Sequence, residues 1–224
     1  MINVRKHEIY RYLGYSKRKQ VEPTEEIDAL IDECIQDLQK VITPQSVYKR
    51  LKLNWLDHET IEVSGMQVTS KSLAKNLAGC QEVFLFGATI GIGVDRLIKR
   101  AELTKMAKAA IYQATGAEMV ECVCDELNEK LRQEVSQEGL FLKPRFSPGY
   151  GGTPLTLQRD FERILKMSSI GITLTDTCLM VPSKSVTAFI GITDKKTKSL
   201  SGCAACDQQD CPSRKEYEWL YEID

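Results

Sequence analysis

Three stretches of the sequence combine residue types that could bind a ligand or a metal. The first is a glycine-rich run at residues 87–93, and the second is a loop at residues 145–152. The third is a group of cysteines near the C-terminus. The three predict different chemistries, namely phosphate binding, recognition of a carboxylate, and coordination of a metal.

The glycine run at residues 87–93 follows a predicted strand and precedes a predicted helix. Glycines at such a turn allow backbone N–H groups to approach a phosphate at a helix N-terminus. A dinucleotide-binding fold would continue with a second βαβ unit, whereas the residues that follow here have a helical pattern. We therefore favour a tight strand-to-helix turn, with nucleotide binding as the alternative.

The loop that starts at Arg145 contains a proline, three glycines and a tyrosine. Arg145 offers a planar guanidinium to a carboxylate, and Pro148 stiffens the backbone. Gly149 and Gly151 would let a ligand approach closely, and Tyr150 adds an aromatic face with a hydroxyl group. Composition alone favours a ligand-binding loop and a structural loop equally.

Cys203, Cys206 and Cys211 form the third candidate, with two and then four residues between them. Thiolates in this spacing can bind zinc or ligate an iron–sulfur cluster. A tetrahedral site needs four ligands, and Cys178, Cys80 or a carboxylate could supply the fourth. A redox-active dithiol at Cys203 and Cys206 is a further interpretation.

Composition excludes several function classes. Thirty basic and 31 acidic residues give a net charge of -1, which offers no field for nucleic acid or an anionic membrane. The longest uncharged apolar stretch, residues 83–94, is shorter than the about 20 residues that span a bilayer. No secretory signal is evident, so we expect a cytoplasmic protein with reduced thiols and neither nucleic acid nor membrane as a partner.

Hydrophobic periodicity predicts helices and strands in mixed order. Thr24 is the predicted cap of the first helix, and Thr115-Gly116 is the candidate break in the longest one. Helices are predicted at residues 24–42, 70–79, 93–138 and 157–165, and extended segments at 47–68, 82–86, 177–181 and 185–193. We predict a domain at residues 1–193, followed by a hinge and cysteine-rich tail at residues 194–224.

Two of these motifs together resemble a known family. Arg145-x-x-Pro148-Gly149-Tyr150 is followed by a segment from Leu174 that reads Leu-Thr-Asp-Thr-Cys-Leu-Met-Val-Pro-Ser-Lys-Ser-Val-Thr-Ala. This pair resembles the activation domain of cobalamin-dependent methionine synthase. The resemblance is good over residues 118–192, weaker before them and absent from the cysteine tail. It implies an α+β fold, a C-shaped single domain with a central twisted antiparallel sheet and flanking helices.

The resemblance also implies roles for individual residues. Arg145 would hold the methionyl end of S-adenosylmethionine, and the backbone around Gly149 would contact its adenosyl part. Tyr150 would lie near the ligand and close over the corrin face. Glu121 and Asp125, one turn apart on the preceding helix, are the candidate partners of the ligand's ammonium group. A solvated helix face is the alternative interpretation of these two acids.

The sequence departs from the family in two respects. After the tyrosine, Gly151-Gly152-Thr153-Pro154 replaces the family's Pro-Ala-Cys-Pro, which could alter the adenosyl contacts. The chain also lacks Asp-x-His-x-x-Gly, which supplies the lower cobalt ligand in cobalamin-binding domains. The cobalamin is therefore expected to arrive on a partner corrinoid-binding methyltransferase protein.

The function that the resemblance implies is that of a stand-alone activation subunit in methionine biosynthesis. It would bind S-adenosylmethionine and cap the partner's cobalamin for reductive methylation, without catalysing the reaction alone. An electron donor protein is a further expected partner, and a cluster in the tail would relay the electron. The alternatives are a corrinoid-capping or redox module that does not use S-adenosylmethionine, and a nucleotide-dependent oxidoreductase using residues 87–93.

Overall fold

The computed structural model describes residues 1–15 and 21–196. The helices of this part are α1 (Lys6–Tyr12), α2 (Glu25–Gln39), α3 (Lys71–Leu77), α4 (Gly93–Thr104), α5 (Met106–Ser136) and α6 (Gln158–Leu165), with 3-10 turns at Leu155–Leu157 and Met167–Ile170. The strands are β1 (Gln45–Lys52), β2 (Asn54–Trp55), β3 (Thr60–Val63), β4 (Met66–Thr69), β5 (Glu82–Thr89), β6 (Phe141–Leu142), β7 (Thr173–Leu174), β8 (Met180–Val181) and β9 (Ser185–Thr193).

A four-stranded sheet in the order β1-β5-β9-β6 forms the centre of the molecule. All three of its strand pairings are antiparallel. Two smaller antiparallel sheets, β2-β3-β4 and β7-β8, accompany it. The predicted α+β architecture, with an antiparallel sheet and flanking helices, is confirmed. It differs from the parallel sheet of a dinucleotide-binding fold.

Strand β5 is buried on both faces of the central sheet. Phe84 and Phe86 face a core shared with α1, α2, α4 and α5. Val83 and Leu85 face a second core, which is built from α3, α6 and the β2-β3-β4 sheet. The uninterrupted apolar run of this strand follows from its position between two layers, since neither face meets water.

The start of α2 agrees with its predicted cap. Thr24 is extended, and its side-chain oxygen accepts a hydrogen bond from the Ile27 backbone N–H at 3.4 Å. The stripe that follows is buried at Ile31, Cys34 and Leu38. Cys34 is therefore a core residue, as its position on the stripe predicts.

The long helical region is divided, but not where the sequence suggests. The break lies at Lys105, whose φ of -149° and ψ of 86° separate α4 from α5. Thr115 and Gly116 are instead buried within α5. A Cβ at Gly116 would lie 3.0 Å from Val94 Cγ1, so this glycine allows α4 to pack closely against α5. The predicted break at Thr115-Gly116 was wrong because a helix interior can also require a small residue.

The predicted strand at residues 177–181 is too long. Only Met180–Val181 is a strand, and it pairs with β7 rather than with β9. Cys178 has a φ of 64° and donates its backbone N–H to the Thr175 carbonyl at 2.9 Å, which closes a turn. This left-handed residue interrupts the extended pattern.

Helix α1 and the short strand β6 had no counterpart in the sequence-based prediction. Both are short, with seven and two residues, so neither produces a clear periodic signal. Helix α1 packs on α5, and β6 pairs with the end of β9. They matter because they border the loop that starts at Arg145 and the helix that faces it.

None of the helices in the described part of the chain has the length and apolar character needed to cross a membrane.

Candidate functional site

The space beside the glycine run at residues 87–93 is filled by neighbouring protein atoms. Gly91 N–H donates to Thr89 Oγ1 at 3.1 Å, and the Ile90 carbonyl accepts from Thr43 N–H at 2.9 Å. A Cβ at Gly93 would lie 2.4 Å from the Val41 carbonyl oxygen. The segment after α2 therefore fills the space that a phosphate would need, and the run is the tight strand-to-helix turn that we favoured.

The cysteine candidate lies outside the described residues. Cys203, Cys206 and Cys211 all fall in the range 197–224, as does most of the predicted hinge. Within residues 1–15 and 21–196, no group of three or more His, Cys, Asp or Glu side chains could hold a metal ion. Metal binding by the tail, and the domain boundary at residue 193, therefore remain predictions.

The loop that starts at Arg145 runs along the edge of the central sheet. Lys143 N–H donates to the Gly191 carbonyl at 2.8 Å. Phe146 and Phe189 exchange two backbone hydrogen bonds of 2.9 and 2.8 Å. Strand β9 thus continues the pairing begun by β6 and fixes the backbone on both sides of Arg145.

Beyond Phe146 the loop closes on itself. Gly149 N–H donates to the Thr153 carbonyl at 3.0 Å, and Thr153 N–H donates to the Tyr150 carbonyl at 2.9 Å. The Thr153 hydroxyl, which is buried, also donates to the Tyr150 carbonyl. Pro148 is buried at the base of this turn, whereas Gly149 is exposed. Gly149 and Tyr150 are both exposed at this turn.

Position 151 can hold only a glycine without strain. Its φ is +55°, and a Cβ there would lie 2.7 Å from Ser72 Cβ and 2.8 Å from Phe146 Cζ. Its carbonyl accepts a hydrogen bond of 3.1 Å from the hydroxyl of Ser70, which also caps α3. The Gly-Gly-Thr-Pro segment that departs from the family pattern therefore docks this loop on the N-terminus of α3.

Tyr150 is 72% exposed at the tip of the loop. A large aromatic side chain that is held out into water by a rigid turn is suited to contact a ligand or another macromolecule.

The structure brings Arg145 together with both acids predicted to lie near it. Arg145 Nη2 lies 2.9 Å from Glu121 Oε2 and 2.9 Å from Asp125 Oδ1. The exposed fractions of these side chains are 24% for Arg145, 36% for Glu121 and 45% for Asp125. The two acids are thus part of a half-buried charge cluster rather than a freely solvated helix face.

Two further members of this cluster were missed by the sequence analysis. Arg5, just before α1, places Nε 2.6 Å from Glu118 Oε1 and Nη1 3.0 Å from Asp125 Oδ2. Glu118 is fully buried on α5. The one local feature that could have identified Glu118 as a site residue is its position among the buried apolar residues of α5. Arg5 has none, because 113 positions separate it from its partner.

The cluster carries two positive and three negative side chains and retains unused hydrogen-bonding capacity. Both oxygens of Asp125 contact a guanidinium. Arg145 Nη1 and Glu118 Oε2, by contrast, are buried and have no hydrogen-bond partner in the described part of the chain. A buried unpaired donor and acceptor are costly, so the arrangement fits a ligand that carries both a carboxylate and a cationic group.

The two cysteines beside this cluster are inert thiols. Burial raises the pKa of Cys124 to about 12, against the opposing influence of nearby Arg145. Burial, followed by a hydrogen bond to Glu118, also raises the pKa of Cys122 to about 12. Both side chains therefore remain protonated near neutral pH and supply neither a nucleophile nor a metal ligand.

The fold and this cluster together define an α+β domain whose sheet-edge loop places a guanidinium against acids of a long helix. Residues 69–215 match the family model described as vitamin B12 dependent methionine synthase, activation domain. Because this match spans more than half of the 224 residues, the chain belongs to that family. The resemblance found in the sequence is confirmed, and the matched range is wider than residues 118–192 and includes the tail cysteines.

Among solved structures, the chain is similar to a crystal structure of the MetH reactivation domain bound to AdoHcy. The TM-score is 0.57 and the sequence identity is 17%, over 79% of this chain and 68% of that chain. At this identity the similarity shows a shared fold. No curated protein matches the chain.

The contacts of Arg5 lead to a prediction about stability. The variant Arg5→Met should lower the free energy of unfolding by about 2 kcal/mol, because Glu118 would keep a buried carboxylate without its cation. Urea unfolding followed by circular dichroism measures this change. Arg132→Met is the matched control, since Arg132 pairs with Glu129 on the exposed face of α5 and should contribute little.

Adding Glu118→Gln to Arg5→Met should restore part of the lost stability, since the second change removes the unpaired charge. Equal unfolding free energies for Arg5→Met and Arg132→Met would contradict this view of the cluster.

Proposed function

We propose that the chain binds S-adenosylmethionine at the cluster around Arg145 and presents its methyl group to the cobalamin of a partner corrinoid protein. The observation that carries this proposal is the meeting of Arg145 with Glu121 and Asp125 at one end of a closed, outward-facing loop. Membership in the activation-domain family supports it, as does the AdoHcy bound to the structurally similar MetH reactivation domain.

The residues present fit the methionyl end of such a ligand. Arg145 Nη1 is a buried donor with no hydrogen-bond partner among residues 1–15 and 21–196, and a ligand carboxylate would satisfy it with a charge-assisted hydrogen bond. Glu121 and Asp125 would face the ammonium group, and the cluster's excess of one negative charge favours a ligand with a positive sulfonium. Both Asp125 oxygens contact arginines, so the ammonium group would share this carboxylate with Arg5 and Arg145.

The loop backbone would contact the adenosyl part of the ligand. Gly149 is exposed and held by its bond to Thr153, so a ligand can approach it closely without ordering a mobile segment. Pro148, Gly149 and Gly151 contribute to binding by fixing this turn. Gly151 also docks the loop on α3, so the segment that departs from the family's Pro-Ala-Cys-Pro holds this turn in place.

Tyr150 would contact the corrin face of the partner. Its exposed ring can cover an apolar surface, and the sheet-bound loop keeps it in a fixed position. The chemistry itself would be supplied from outside the chain: the partner's cobalamin, reduced by one electron from an external donor, would accept the methyl group, and S-adenosylhomocysteine would be released. The task of this chain is positioning and exclusion of water, which requires no acid–base pair.

The finer features of the expected function belong to the same proposal. The partner is a cobalamin-dependent methionine synthase or related corrinoid methyltransferase, and the chain acts as a separate activation subunit in the cytoplasm. A reductase or other electron donor protein would supply the electron. The expected iron–sulfur cluster or zinc in the tail would take part only if Cys203, Cys206 and Cys211 bind it.

Binding at Arg145 can be measured directly. We expect Arg145→Ala to weaken S-adenosylmethionine binding by about 1–3 kcal/mol, because a charge-assisted contact to the ligand carboxylate is lost. Isothermal titration calorimetry gives the affinity, and Arg132→Ala is the control for removal of an arginine elsewhere. An unchanged affinity in Arg145→Ala would rule out this site. Absence of binding by the native chain would favour a capping module that does not use S-adenosylmethionine.

Function as an activation subunit is tested by methyl transfer. The native chain, a cobalt(II) corrinoid protein, a reductant and methyl-labelled S-adenosylmethionine should together yield a methylated corrinoid protein. Tyr150→Ala should reduce this transfer more than it reduces ligand binding, since its role is contact with the corrin. Equal label transfer with and without the chain would show that it is not an activator.

A further inference from the structure

We propose that a second site, between the end of α2 and the junction of α4 with α5, binds a small phosphate-bearing anion. A cavity of about 390 Å³ lies there. None of the residues that line it belongs to the Arg145 cluster or to its loop. The inference is therefore independent of S-adenosylmethionine binding.

Positive charge is concentrated in this cavity. Its ten lining residues include four basic side chains, Lys40, Arg100, Lys105 and Lys108, and a single acid, Asp37. The whole chain has a net charge of -1, so this density of cations is local. Cations that share one concave surface raise the local concentration of anions.

Asp37, the single acid that lines the cavity, already has a hydrogen-bond donor and nearby cations within the protein. Tyr112 donates its hydroxyl to Asp37 Oδ2 at 2.8 Å, and this hydrogen bond, with nearby Lys108 and Lys40, lowers the pKa of Asp37. Burial and the same hydrogen bond raise the pKa of Tyr112, so the phenol stays protonated. Lys108 also pairs with Glu33 at 2.5 Å. Asp37 and Lys108 therefore balance one another within the protein.

Arg100 and Lys105, unlike Lys108, are not neutralised by an acid in the described part of the chain. Neither forms an ion pair with any residue in the ranges 1–15 and 21–196, and both are exposed. Arg100 lies in α4, and Lys105 is the residue at the break between α4 and α5. Lys40, at the end of α2, lines the same cavity and makes a 3.6 Å contact to Asp37. Three cations at one cavity suit a ligand with two or more negative charges, such as a phosphate or diphosphate, better than a single carboxylate.

The wall of the cavity is apolar. Val41, Leu97 and Ala101 line it, and they pack on the core that α2, α4 and α5 share. The volume lies within the range of about 300–1,000 Å³ that small-molecule sites occupy. Charged rim and apolar wall together fit an organic phosphate of about the size of a nucleoside phosphate, with its phosphates at Arg100 and Lys105.

The test uses two probes, ADP and inorganic pyrophosphate, titrated into the full chain by calorimetry at one fixed ionic strength. The cavity variant is Arg100→Ala with Lys105→Ala. The matched control is Arg96→Ala with Lys99→Ala, which removes the same charge from exposed positions that do not line the cavity. Circular dichroism confirms that both double variants are folded.

The native chain should bind both probes, with ADP bound more tightly because its organic part covers the apolar wall. The cavity variant should lose about tenfold or more in affinity for ADP, and the control should change by less than about twofold. The affinity of the cavity variant for S-adenosylmethionine should equal that of the native chain.

Three results would overturn the inference. One is the absence of heat from either probe at millimolar concentration. Another is an equal loss of affinity in both double variants, which would indicate a general effect of charge. The third is equal affinity of the native chain for ADP and pyrophosphate, which would remove the role of the apolar wall.

Discussion

The contact between Arg145 and the acids of α5 is the interaction on which the candidate site depends. It joins a loop at the edge of the central sheet to the middle of the longest helix, across 20 to 24 positions of sequence. Backbone pairing with β9 fixes the loop on one side, and burial of α5 against the same sheet fixes the acids on the other. The guanidinium and its partners are therefore carried by backbone segments that are already held in place.

Arg5 makes this contact part of a wider network. Through Asp125 and Glu118 it connects the segment before α1 to the loop, although the family match begins only at residue 69. The five charged side chains leave one excess negative charge, and both oxygens of Asp125 contact an arginine. A cationic ligand at Asp125 would therefore lie beside both guanidinium groups, one from the N-terminal segment and one from the loop.

Helix α5 also relates the two sites that we propose. Lys105 and Lys108 lie at its start, and Glu118 lies 13 positions after Lys105. With a rise of about 1.5 Å per residue, the two clusters are about 20 Å apart along one rigid element. Gly116, which lies on α5 between the two clusters, packs closely against Val94 of α4.

The sequence predicted those features that depend on local chemistry. Thr24 identified the start of α2, and the double-sided apolar run identified β5. Arg145, Glu121 and Asp125, which the family resemblance named as site residues, lie together in the structure, and their role in ligand binding remains a prediction. Features that depend on distant contacts were missed or wrongly placed. The pairing of Arg5 with Glu118 joins residues 113 positions apart, and the turn at Cys178 depends on a left-handed residue that apolar alternation does not reveal.

The break at Lys105 shows the same limitation. A glycine inside a helical pattern can end the helix or admit a neighbouring one, and only the position of α4 decides between them. In the same way, Gly91 and Gly93 have the spacing of a phosphate-binding turn, but the segment at Val41 and Thr43 occupies the space around them.

The most direct test of the central claim observes the Arg145 side chain while ligand is added. In a chain with ¹⁵N-labelled arginine, the Nε–H resonance of Arg145, assigned by its loss in Arg145→Lys, should shift progressively with S-adenosylmethionine. The resonance of Arg132, on the exposed face of α5, should stay in place. Binding that leaves the Arg145 resonance unmoved would place the ligand elsewhere and contradict this account.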